Sequence, residues 1–172
     1  MKQVIATDIH GSAYYCNKLM AVIEKEAPDR VVLVGDILYH GPRNDLPREY
    51  DPKKVISMLN GIAEKIICDT GNCDSEVAGM VLDFDVLSER AVIYDGKTEM
   101  FFTHGHKCGP DNPPKLKKGS YLICGHTHVP VIEDRGEFIY VNCGSVSIPK
   151  NESKNCALIY EDGSFKYVTL GE

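Results

Sequence analysis

The stretch YLICGHTHVP, residues 121–130, sets a run of strand-forming residues directly ahead of a glycine and two histidines one residue apart. Aromatic and β-branched residues favour a pleated strand. Gly125 frees the backbone to turn, so His126 and His128 stand at the strand's carboxyl end. Alone, such a pair is either loop polarity or half of a metal site, because imidazole suits first-row transition metals. The rest of the chain decides.

Working outward, the same arrangement recurs. KQVIAT (2–7) is a short apolar strand followed at once by Asp8 and His10. SAYYCNKLMAVIEKEAP then carries Tyr15, Leu19, Val22, Ile23 and Ala27 at helical spacing, with Ser12 as N-cap and Pro28 as the stop. RVVLVG (30–35) is a β-branched run suited to a strand buried on both faces, and Asp36 follows it. Asp51 and Pro52 open a second helix whose apolar face is Val55, Ile56, Leu59, Ile62 and Ala63. KIICDT (65–70) is a third strand, followed by Asn72. This alternation predicts βαβ units and a largely parallel sheet.

From about residue 89 closely spaced strands replace the alternation: RAVIY, EMFFTH, YLICGH, VPVIE, EFIYVN, CALIYE and FKYVTL. The separators YDGKT and EDGS carry Asp-Gly, a hairpin signal, and EDRGE is a turn sequence as well. The expected architecture is α/β, two sheets packed face to face with helices outside. No linker or internal repeat divides the chain, so residues 1–172 read as a single domain.

Composition bounds the function. The 172 residues are 43% hydrophobic, enough for one substantial core, and the net charge is −6. That charge argues against a sequence-independent grip on nucleic acid, which needs lysine and arginine against phosphate. No apolar run approaches the ~20 residues of a membrane span, and no signal-peptide core follows Met1. Seven cysteines, an odd number without a CxxC pair, indicate neither a full disulfide set nor a zinc ribbon. The expectation is a reducing cytoplasm with most thiols as small buried apolar groups.

Open α/β sheets bind ligands in the crevice beyond the carboxyl ends of their strands. Asp8, His10, Asp36, Asn72, His104, His126 and His128 all fall at such ends, and His40 and His106 lie within a few residues of them. Each motif alone has a plainer reading: Asp-x-His as a capped turn, Gly35-Asp36 and Thr70-Gly71-Asn72 as turns. Their joint placement favours convergence on cations.

ATDIHG, VGDIL, TGNCD, THGH and GHTH, in that order, resemble the calcineurin-like metallophosphoesterase superfamily across the whole chain. HGPRNDLPREYDPKKV, GNCDSEV and GSVSIPK resemble its small bacterial YfcE-type phosphodiesterases. The resemblance implies a four-layer αββα sandwich of two mixed sheets. It also implies two metal ions about 3.5–4 Å apart. Asp8, His10, Asp36 and His128 would hold the first, and Asp36, Asn72, His104 and His126 the second, so that Asp36 bridges. Mn²⁺ is the first choice for a set of carboxylate, imidazole and amide donors without thiolate, with Fe, Zn, Ni or Co as alternatives. The implied reaction is hydrolysis of a small phosphodiester by a hydroxide shared between the metals, with no covalent intermediate.

Two departures from the wider superfamily bear on substrate. Where many members have Gly-Asn-His followed by an acid, this chain has Gly71-Asn72-Cys73-Asp74. A thiol is a weak donor and a poor general acid near neutrality, so diesters with acidic leaving groups are expected to react better than unactivated monoesters. The role of Asp74 stays open. Gly35-Asp36 leads to Tyr39-His40-Gly41 rather than the Asp-Arg-Gly of protein phosphatases, which puts a phosphoprotein substrate in doubt. Candidates for catalytic assistance are Asp36, Asn72, Cys73 and His40; candidates for substrate contact are Asn72, Cys73, His40, Arg43 and His106. Cys73 as filler, Arg43 on a solvated loop and His106 facing either ligands or substrate are the competing readings.

The cluster Lys115, Lys117 and Lys118 reads as a solvated face. The resemblance places Asn142, Gly144 and Ser145 near the cleft. The rival functions are a phosphomonoesterase or nucleotide pyrophosphohydrolase on the same site, and a retromer-subunit-like interaction scaffold with little activity. Relatives suggest a homo-dimer or homo-tetramer.

Overall fold

In a computed structural model describing residues 1–171, the RVVLV run is a strand closed off from solvent on both faces. It is β2 (Arg30–Val34), and Val31, Val32, Leu33 and Val34 are fully buried. Parallel strands β1 (Lys2–Ala6) and β3 (Ile66–Asp69) flank it. β9 (Cys156–Glu161) and β10 (Ser164–Thr169) complete a five-stranded sheet ordered β10-β9-β1-β2-β3. Residues alternate between two cores because strand side chains alternate faces. Val4, Ala6, Val31 and Leu33 meet the helices, whereas Ile5, Val32 and Val34 meet the second sheet.

α1 (Ala13–Glu26) and α2 (Pro52–Asn60) cover the first sheet through Cys16, Leu19, Ile23, Val55 and Leu59. Both expected caps form: Ser12 Oγ accepts from Tyr15 N at 3.3 Å and Asp51 Oδ1 from Lys54 N at 3.2 Å. Ala27 is not on the helix face; it is the left-handed cap, with φ of 44°. A third helix, α3 (Glu76–Val81), lies where no helix was expected, since six residues containing Gly79 give too short a period to read.

The second sheet is ordered β4-β5-β6-β8-β7. Its strands are β4 (Ala91–Asp95), β5 (Thr98–Phe102), β6 (Ser120–Cys124), β7 (Val131–Asp134) and β8 (Phe138–Asn142). β5, β6 and β8 run parallel, and the two edges are antiparallel. Met100, Phe102, Ile123 and Val141 pack onto Ile5, Val32, Val34 and Leu158 between the sheets. Each such side chain contributes roughly 1.5–3 kcal/mol by leaving water.

The two mixed sheets with flanking helices are the expected sandwich. Its fourth layer is built differently: Leu116, from the Pro/Gly-rich segment 105–119, packs on the outer cluster of Phe101, Leu122, Cys124, Phe138 and Tyr140. Among the described residues no helix follows α3. No helix among them is long and apolar enough to cross a membrane. Five of the seven cysteines are buried and all are free, in line with their reading as apolar filler.

Candidate metal centre

The parallel strands β1, β2 and β3 end on one edge, and there the backbone leaves the strand conformation abruptly. Asp8, His10 and Asp36 take left-handed φ angles of 56°, 49° and 56°, and His126 and His128 take 66° and 61°. Non-glycine residues seldom adopt this region. The turns interlock, with Asp8 N donating to Gly35 O at 3.1 Å and His10 N to Asp36 O at 2.9 Å. Gly35 is needed for the close approach: a Cβ there would lie 2.5 Å from Gly71 N and 2.7 Å from His104 Nδ1.

Each carboxylate is half committed. Asp8 Oδ2 accepts from His126 N at 3.0 Å and lies 2.9 Å from Thr7 Oγ1. Its buried Oδ1 has no hydrogen-bond partner, and it faces His128 Nε2 at 3.1 Å and His10 Nε2 at 3.3 Å. Asp36 repeats the pattern. Oδ1 accepts from Cys73 N at 2.7 Å, while Oδ2 faces His104 Nε2 at 3.4 Å and His10 Nε2 at 3.7 Å. Burial by itself would raise both carboxyls, but the facing imidazoles more than offset it and hold Asp8 and Asp36 below the ordinary range.

The imidazoles are oriented from behind. Nδ1 of His10 donates to Tyr39 O at 2.8 Å, Nδ1 of His104 to Val34 O at 2.7 Å, and Nδ1 of His128 to Ile148 O at 2.5 Å. A carbonyl can only accept, so each Nδ1 carries a proton and Nε2 points inward. His104 Nε2 is buried without a hydrogen bond. Burial lowers the basicity of that ring, but Asp36 and Asp8 outweigh it and raise its pKa to about 9. Donor atoms of Asp8, His10 and His128, and of Asp8, Asp36 and His104, gather within 4.8 Å of one another. Orphaned donors, half-tied carboxylates and tautomers set by backbone carbonyls all fit cations held between them.

His126 and Asn72 line the cleft above, a cavity of about 250 Å³ with Asp36, Gly41, Cys73 and His128 in its wall. The His126 ring lies 5.2 Å from that of His104. Asn72 Nδ2 approaches Cys73 Sγ at 3.2 Å. Burial first, then the charge of Asp36, pushes the Cys73 thiol up to about 12. Arg43 also lines the cleft. His40 does not; its ring packs edge-on against Tyr39 and Tyr50. His106 lines a neighbouring hollow together with Gly125, its ring 5.5 Å from that of His104.

Supporting residues emerge that sequence reasoning left open or missed. Asp74 accepts from Asp36 N at 2.8 Å, Ile37 N at 2.9 Å and Gly71 N at 2.8 Å, clamping the turns after β2 and β3. Ser145 and Ser147 hydroxyls donate to Asp8 O at 3.0 and 3.1 Å, and Asn142 Nδ2 donates to Gly125 O at 2.6 Å. Thr7 and Ser147 had no signal beyond their proximity to Asp8 and to the GSVS segment.

A cleft whose floor is oxygen and imidazole donors at the ends of parallel strands is the working end of a metallohydrolase. The chain belongs to the calcineurin-like phosphoesterase superfamily, whose domain matches residues 1–163. It is 45% identical over 150 residues to the phosphodiesterase YfcE of Escherichia coli strain K12, covering 87% of this chain and 82% of that protein. A solved E. coli YfcE structure, described as a phosphoesterase, superposes with a TM-score of 0.93 at 38% identity, covering 99% of this chain and all of that one. A Vps29 variant from Entamoeba histolytica shares the fold alone, with a TM-score of 0.61, 19% identity and coverage of 98% of this chain and 97% of that one.

Proposed function

We propose that this chain is a metal-dependent phosphodiesterase acting on small diesters. The observation that carries the reading is the pair of half-tied carboxylates, Asp8 and Asp36, each presenting one oxygen to inward-facing imidazole nitrogens. Asp8, His10, Asp36 and His128 would hold one divalent cation, and Asp36, Asn72, His104 and His126 a second, with Mn²⁺ the ion that best suits the donors. Such ions supply a nucleophile near neutral pH by acidifying water and stabilise negative charge on phosphoryl oxygens.

The chain's own residues set what the site does with a substrate. Asn72 and Cys73 at the cleft wall contact the phosphoryl group, and Arg43 lines the rim, where it faces the rest of the substrate. With its thiol pushed up to about 12, Cys73 delivers no proton readily to a departing alcohol. Diesters whose leaving group is already acidic therefore react fastest. A Vps29-like scaffold is disfavoured, because Asp36 and every other residue expected to hold the two ions is present in the sequence.

The test is elemental analysis of the purified chain with rates on an aryl diester and an alkyl monoester. The expectation is close to two divalent ions, loss of hydrolysis on chelation and recovery with Mn²⁺. Chelation should also lower thermal stability by several degrees, since an ion at 100 times its Kd adds about 2.7 kcal/mol. No hydrolysis at full metal occupancy would favour the scaffold, and a faster alkyl monoester would favour a phosphomonoesterase.

A further inference from the structure

The cleft lining includes two cations that nothing among the described residues neutralises. Arg43 comes from the loop between β2 and α2, and Lys150 from the loop between β8 and β9; both line the cavity above Asp36, Asn72, Cys73, His126 and His128. Both are exposed, and neither side chain has an ion pair or hydrogen bond among the described residues. Lys2 with Glu26, Lys54 with Asp51 and Arg135 with Glu133 show the pairing some cations make on this acidic protein, but many others are unpaired among the described residues, so what sets Arg43 and Lys150 apart is their place in the lining of the cleft.

Lys150 is held close to the metal centre. Its backbone N donates to His128 O at 3.2 Å, and its carbonyl accepts from Ser153 Oγ at 2.6 Å. The same loop supplies Ile148 O to His128 Nδ1. In the loop that carries Arg43, Gly41 sits against Cys73, and Asn44 Nδ2 closes the turn by donating to His40 O at 2.8 Å. Asp36, already committed to the floor, is the one acid in the lining.

A phosphodiester carries a single negative charge, on the phosphoryl group that the floor receives. Two further unpaired cations at the rim exceed what that group needs. Guanidinium presents a planar fork suited to phosphate oxygens, and ammonium a compact charge. We propose that Arg43 and Lys150 form a second anion subsite, and that the substrates this cleft selects are diesters bearing an additional phosphate on one of the esterified alcohols. The proposal rests on the diesterase reading and narrows its substrate class.

Thymidine 5′-(p-nitrophenyl phosphate) and its 3′-phosphorylated form release the same leaving group and differ by the added phosphate. With Mn²⁺-loaded protein at low salt, the 3′-phosphorylated form is expected to show a KM roughly tenfold lower at similar kcat, the size two solvent-facing ion pairs can supply. The gap should narrow as ionic strength rises. In the double variant R43M/K150M, checked for native melting, the KM ratio should fall to within about twofold. Calorimetry gives a readout without turnover: loaded protein should bind thymidine 3′,5′-bisphosphate about tenfold more tightly than the 5′-monophosphate, and the double variant should not. Equal KM values in the unaltered protein, or a preference that survives in the double variant, would overturn the proposal. If neither compound is hydrolysed at full metal occupancy, the diesterase reading fails, and the calorimetric ratio alone then decides the subsite.

Discussion

The Nε2 atoms of His10 and His128 face each other at 3.4 Å although 118 residues separate them. Both Nδ1 atoms donate to backbone carbonyls, so two neutral rings would set lone pair against lone pair. A shared cation removes that repulsion, and Asp8 Oδ1, 3.1–3.3 Å from both nitrogens, completes the triangle. This geometry is the strongest local argument that the strand ends are built around an ion rather than around one another.

Asp36→Asn keeps an acceptor for Cys73 N–H but removes the charge that faces His104 and His10. Bound metal should fall from two equivalents to one or fewer. Activity should drop by more than the roughly 10–100-fold lost with an outer-shell partner. Elemental analysis returning two equivalents would show that Asp36 does not bridge.

Asp74→Ala strands three backbone donors, Asp36 N, Ile37 N and Gly71 N, beneath the cleft. Unsatisfied buried donors cost about 1–3 kcal/mol each, so urea unfolding should show a loss of at least ~3 kcal/mol. Asp74→Asn retains one carbonyl oxygen and should lose less. Equal losses in the two variants would remove the clamp from the account.

Asp69, at the end of β3, is buried with neither carboxylate oxygen hydrogen-bonded. Burial raises its pKa well above the usual value of 3.8, despite the counteracting charge of His104. The folded protein therefore keeps this proton to higher pH than the unfolded chain does. Its stabilising contribution is complete in acid and erodes as pH rises from about 4 through the raised value. In metal-stripped protein, Asp69→Asn should melt above the unaltered chain at pH 8 and alongside it near pH 4. A lower melting temperature at pH 8 would contradict this.

Cys73→His sets a better proton donor in the wall of the cleft. The ratio of alkyl-monoester to aryl-diester rates should rise by about tenfold or more, since general acids contribute roughly 10²–10⁴ where a proton is needed. An unchanged ratio with metal content verified would make Cys73 a filler of space.

Much of this was legible because it depends on local chemistry. The continuous apolar run of β2 announced a doubly buried strand, and Ser12 and Asp51 announced their helices, since caps are read within four residues. Of the residues at the strand ends, Asp8, His10, Asp36, His104 and His128 bring donor atoms together at the floor, while Asn72 and His126 line the cleft above. Less local features were harder to see. The α3 helix owes its place to Ala78 and Leu82 packing into the first core, not to a periodic pattern. Tyr50 and Tyr39 capture the His40 ring, a tertiary contact without a sequence signature. Lys150 reads as an ordinary surface lysine until its loop is seen wrapped around His128.

The left-handed turns at Asp8, His10, Asp36, His126 and His128 carry one more consequence. Backbone dihedrals of this kind are uncommon for residues with a side chain, and at His10 and His128 the Nδ1 contacts to Tyr39 O and Ile148 O fix the ring as well. A substitution at any of the five therefore changes the backbone turn as well as the donor it carries.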